Sequence, residues 1–122
     1  MTVHGRMIAD GLRPGAEFAP PGTRIVKVFR VDQGNSAGPG QPRFWTIIDF
    51  EADDGEAVAS ALAGSLDPEG GWYADFQDGD DHVVVYAGKV FRYGPDDRDT
   101  YVAAVEWGRR VGVPEHQLDW ES

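Results

Sequence analysis

The segments Trp72-Tyr73-Ala74-Asp75-Phe76-Gln77 and His82-Val83-Val84-Val85-Tyr86-Ala87 flank Asp78-Gly79-Asp80-Asp81. No other feature constrains the fold as much. Runs rich in aromatic and β-branched residues on either side of a Gly/Asp turn form a β-hairpin, and the turn sets the register. A loop centred on Gly79-Asp80 puts Gln77 opposite His82, and Phe76, Ala74 and Trp72 opposite Val83, Val85 and Ala87. One face is then wholly apolar. The rival loop on Asp78-Gly79 would set Phe76 against Asp81, so the first register is expected.

The rest of the chain is assembled around this hairpin. Arg24 to Val31 is rich in β-branched residues and Phe44 to Glu51 carries a second such run, so both read as strands. Between them, Gly34 to Pro42 alternates glycine and proline with small polar residues, which suits a loop. Asp53-Asp54-Gly55-Glu56 offers an N-cap aspartate with a glutamate three residues on. Val58, Leu62 and Leu66 follow at helical spacing, which predicts a helix over 54–65. Gly88 marks a bulge or tight turn before a short strand, Lys89 to Tyr93. Asp96 to Asp99 caps a second helix over 98–111, with Gly112 and Pro114 as its stop. Leu118 and Trp120 are expected to dock back on the body.

Residues 1–22 hold three prolines and four glycines. They are expected to form an extended N-terminal arm, pinned by Leu12 and Phe18, beside a single α+β domain over 23–122. The order ββαββ(β)α predicts a two-layer sandwich, a four- to five-stranded, mostly antiparallel sheet with both helices on one face. At 122 residues the chain is long enough for one hydrophobic core.

Charge and composition narrow the function. The net charge of −10 repels phosphate backbones and anionic headgroups, so neither nucleic acid nor membrane is an expected partner. The chain has no cysteine, which removes disulfides, thiolate metal sites and a cysteine nucleophile. No apolar run near Met1 resembles a signal peptide, and a cytoplasmic location is expected. No Walker loop, GxGxxG, HExxH or GxSxG motif is present, and no cofactor is expected. His4, His82 and His116 are too scattered to suggest a metal centre. The acidic clusters at 53–54, 78–81 and 96–99 stand where caps and a hairpin turn require them, which explains them without catalysis or calcium. Trp107 with Arg109 and Arg110 reads as packing on the second helix, and Glu106 with Arg110 as an i, i+4 pair.

What remains is the other face of the strands. If Trp72, Phe76 and Val83 point to the helices, then Tyr73, Asp75, Gln77, His82, Val84 and Tyr86 point away, joined by Trp45, Ile47, Asp49 and Glu51. Phe44, Ile48 and Phe50 are expected to point inward. The sequence thus singles out Trp45, Tyr73, Asp75, His82 and Tyr86 as binding residues on an aromatic, acidic surface.

Leu12-Arg13-Pro14-Gly15, Gly70-Gly71-Trp72-Tyr73-Ala74-Asp75-Phe76, and Gly112-Val113-Pro114-Glu115 with Gln117-Leu118-Asp119-Trp120 together resemble small acidic hypothetical proteins of high-GC actinobacteria. The nine arginines against two lysines fit such a genome. The resemblance carries no catalytic residues with it. The expected function is a non-enzymatic protein-binding module whose aromatic face meets a protein partner or a second copy of the chain. The alternative is a small-molecule site or enzyme on the same face, with Asp75 and His82 as its polar pair.

Overall fold

A computed structural model describes residues 2–38 and 40–118. Six strands form one antiparallel sheet: β1 (Val3–Ile8), β2 (Thr23–Asp32), β3 (Phe44–Ala52), β4 (Ala74–Asp78), β5 (Asp81–Tyr86) and β6 (Lys89–Tyr93). Their spatial order is β2-β3-β1-β4-β5-β6. Helix α1 (Gly55–Ala63) follows β3, and α2 (Arg98–Arg110) follows β6. The α+β class with an antiparallel sheet and two helices is as the sequence predicts, with six strands instead of four to five.

The additional strand comes from the segment expected to be an arm. β1 lies between β3 and β4, pairing Gly5 with Phe50 on one side and with Phe76 on the other. Val3 and Met7 alternate with His4 and Arg6, a period-two pattern masked by the prolines and glycines that follow. The Phe50 ring and the Phe76 Cβ close over Gly5: a Cβ there would stand 2.8 Å from Phe76 Cβ and collide with the Phe50 ring. The middle of the sheet therefore requires glycine at this position.

The hairpin of β4 and β5 has the expected register, with Gln77 opposite His82, Phe76 opposite Val83 and Ala74 opposite Val85. Gly79, first in the two-residue loop, has φ 62°. That left-handed value is one that glycine adopts freely and that primed hairpin turns demand. Arg92 reaches back to Asp78 at 2.8 Å and Asp81 at 3.2 Å, which accounts for two of the aspartates around the turn.

The helices match a two-layer sandwich only roughly, because they occupy opposite faces. On the first face, Val58, Ala59 and Leu62 of α1 pack with Val3, Phe50, Ala52, Phe76, Val83 and Val85. On the second, Ala104 and Val105 of α2 pack with Val84, Tyr86 and Tyr93. Successive residues of a strand point to opposite faces, so β5 is covered on both sides and carries an unbroken run of buried residues from Val83 to Tyr86. Asp54 caps α1 and Asp97 caps α2, each accepting backbone N–H bonds in the first turn. Trp72 lies outside β4 and packs with Ile8, Trp45 and Ile47 instead of beside Phe76. Phe44, expected inside, is exposed beneath the Arg43 guanidinium. Leu118 is buried against α2, while Trp120 lies outside the described residues.

Candidate functional site

The three rings expected to form a recognition surface are packing residues. Tyr86 is 1% exposed and its hydroxyl donates to Ala104 O of α2 at 2.8 Å. Trp45 is buried edge-on against Trp72, and its Nε1–H donates to Pro42 O at 2.8 Å. Tyr73 is half-buried, with its hydroxyl donating to Gln117 O at 3.1 Å. Burial pushes the Tyr73 and Tyr86 hydroxyls well above the ordinary phenolic range. Tyr86 and Tyr73 are thus taken up by α2 and the C-terminal segment, and Trp45 by Trp72. The physical reason is that α2 chose the face opposite α1, which the linear order of elements does not disclose.

Asp75 and His82 remain together on the open part of this second face. Because β1 lies between β3 and β4, the ladder aligns Lys27, Asp49, Arg6 and Asp75 in one row and Arg24, Glu51, His4, Gln77 and His82 in the next. Paired residues share a face, so both rows project the same way. His4, Arg6, Asp49, Glu51, Asp75, Gln77 and His82 of these rows line an open cleft of about 550 Å³ together with Val26, which stands at a break in the register of β2 between Ile25 and Lys27; Arg24 and Lys27 lie beyond its lining.

The polar contacts in the cleft are specific. Arg6 grips Asp49 with two bonds, Nε to Oδ1 at 2.6 Å and Nη2 to Oδ2 at 3.0 Å. This fork holds the Asp49 carboxyl below the usual carboxylate range and raises Arg6 further. Asp75 Oδ2 lies 3.0 Å from His82 Nε2, so the diagonal pair does lean together. The oxygen is off the line of a hydrogen bond, and Nε2 is buried. On the other side of the ring, Nδ1 lies 3.1 Å from Gln77 Oε1, and the Gln77 amide is anchored by donation to Gly79 O at 3.2 Å. His82 is therefore held by a hydrogen bond at Nδ1 alone, while Nε2 is buried beside the Asp75 carboxylate without one.

The polar residues of the cleft that the sequence did not single out are His4 and Arg6, both on β1. The alternation of residues 3–8 was the available signal. Among the described residues, no group of three or more His, Cys, Asp or Glu could hold a metal ion, and no helix is long and apolar enough to cross a membrane. Trp107 packs against Phe91, with Lys89 and Arg110 over its ring, and Arg109 rather than Arg110 pairs with Glu106. Comparison with protein-family models, curated proteins and solved structures finds no match for this chain.

Proposed function

We propose that this chain is a non-enzymatic binding protein for a small polar organic molecule bearing both charge signs, seated in the cleft over β3, β1 and β4. The supporting observation is the charge order across the first row. Asp49, Arg6 and Asp75 alternate in sign across the cleft along neighbouring strands, about 5 Å apart, with Lys27 continuing the alternation just beyond its lining. A zwitterion laid across the strands meets an opposite charge at each end, whereas a simple anion or cation meets repulsion at one.

Binding is favoured over catalysis by the state of His82. A general base needs one ring nitrogen facing the substrate while the other is oriented by a partner. Here Nε2 is buried beside Asp75 and Nδ1 faces Gln77, so neither nitrogen is presented. The cleft lining also contains no hydroxyl or thiol side chain to act as a nucleophile. A protein partner at this face loses its main support, since Trp45, Tyr73 and Tyr86 are engaged elsewhere.

The test is amide chemical-shift titration against pools of free amino acids, simple carboxylates and simple amines. Zwitterions should shift residues 4–6, 49–51 and 75–77 and leave α2 unmoved, and Asp75→Asn should weaken the effect about tenfold. Equal responses to all three pools, or shifts centred on α2, would remove the cleft from consideration.

A further inference from the structure

On the first face, α1 leaves the β2 and β3 half of the sheet uncovered, and the residues there are apolar. Ile25 is 67% and Val28 55% exposed, and Val28 pairs with Ile48. The strip leads into a separate cavity of about 410 Å³ lined by Met7, Leu12, Phe18, Ile25, Ile48 and Phe50 among others. Phe18 closes it from the loop side, edge-on to Phe50 at 5.7 Å between ring centres. This volume falls in the range of small-ligand sites.

The other end of the strip is cationic. Arg30 pairs with Thr46, two residues beyond the Val28 and Ile48 level and on the same face. Its Nη1 donates to Thr46 Oγ1 at 2.8 Å, and it has no ion pair among the described residues. By contrast, Arg24, at the other end of β2, is paired with Glu51 and Asp53. An exposed guanidinium without a carboxylate is conspicuous on a chain of net charge −10.

We infer that this face binds a medium-chain aliphatic carboxylate, its tail in the Phe18 and Phe50 cavity and its head at Arg30. The dimensions agree. Thr46 and Phe50 are four residues apart on β3, about 13 Å at strand rise. An extended alkyl chain advances about 1.25 Å per carbon at ordinary bond lengths and angles, so about ten carbons span the track. The guanidinium matches a carboxylate head by charge and by its planar fork of donors.

The experiment is calorimetric titration with decanoate, well below its micellar concentration, beside decyltrimethylammonium, which has the same tail and the opposite head. Decanoate should bind at one site, and decyltrimethylammonium at least tenfold more weakly. Arg30→Gln should abolish that preference, and Val28→Glu should eliminate decanoate binding. Both residues are exposed, so unfolding spectra should confirm that the variants stay folded. Unchanged decanoate affinity in Arg30→Gln would overturn the assignment. So would equal binding of the two probes, or a dimer in sedimentation that Val28→Glu dissociates while decanoate fails to bind. None of these outcomes depends on the polar cleft, which lies on the opposite face.

Discussion

Replacing Tyr86 by serine tests the arrangement of both helices at once. A ring on a face open to water could be truncated at little cost, but Tyr86 is 1% exposed and lies beneath α2. Its hydroxyl bonds Ala104 O at 2.8 Å, and a Cβ on Gly108 would stand only 2.7 Å from that hydroxyl. Helix and ring are in close contact. Removing a buried ring of this size costs about 3–5 kcal/mol in lost transfer energy and cavity formation. Tyr86→Phe, which keeps the ring and removes the hydroxyl, should cost only about 1 kcal/mol. Against a total stability of about 5–15 kcal/mol, the serine variant should be marginal and the phenylalanine variant well folded. Urea unfolding followed by tryptophan fluorescence measures both as midpoint shifts at constant slope. A serine variant within about 1 kcal/mol of wild type would refute the placement of α2 over β5.

Three further outcomes follow from the same packing. Gly5→Ala should destabilise by about 1–3 kcal/mol through collision with Phe50 and Phe76, and Phe76→Ala by about 3–5 kcal/mol, both read from urea midpoints. Asp97→Ala should cost about 1 kcal/mol by removing the α2 cap on Thr100 N, and a cost near zero would assign the helix start elsewhere. Burial pushes Tyr93 up to about 12 and Tyr73 and Tyr86 also upward, so the unfolded chain loses its phenolic protons first. Their contribution is therefore complete below about pH 10 and is lost between there and the folded values. Absorbance at about 295 nm should show the phenolates of Tyr73, Tyr86 and Tyr93 appearing together with unfolding, and free titration of these three near pH 10 in the folded protein would contradict the burial.

The hairpin register was legible because a two-residue loop with glycine leaves few pairings, and only one keeps charge off the apolar face. The helix starts were legible to within a residue because capping is decided within one turn of chain: the aspartate three residues before Glu56 is Asp53 whereas the cap is Asp54, and Asp97 falls inside the expected 96–99 cluster. β1 was not, since a strand of six residues beside a Pro- and Gly-rich stretch has a weak local pattern and acquires its role from two distant partners. The side taken by α2 was not legible either, because β5 offers apolar residues on both faces. Asp75 and His82 were identified from alternation, which is local. Arg6, beside Asp75 in the cleft, required knowledge of strand order.

The two open regions of the sheet have a common origin in β3. At one end this strand buries Trp45 and Ile47 from the second face, and at the other Phe50 and Ala52 from the first. Two helices cannot cover both faces of six strands, and each end of β3 is sealed on the side its neighbours can reach: the Trp72 ring at one end, α1 at the other. The complementary surfaces are left uncovered in diagonal opposition. Asp49 and Glu51 face the cleft behind Phe50, while Thr46 and Ile48 face the apolar track behind Trp45. Their characters differ because their neighbours do: β1 and β4 contribute Arg6, Asp75 and Gln77 to the first, whereas β2 contributes Ile25, Val28 and Arg30 to the second. A chain with a single α1-covered face and a solvated reverse would have no reason to change its buried side midway along a strand. The change at Ile47 and Ile48 is what gives one small sheet two chemically distinct surfaces.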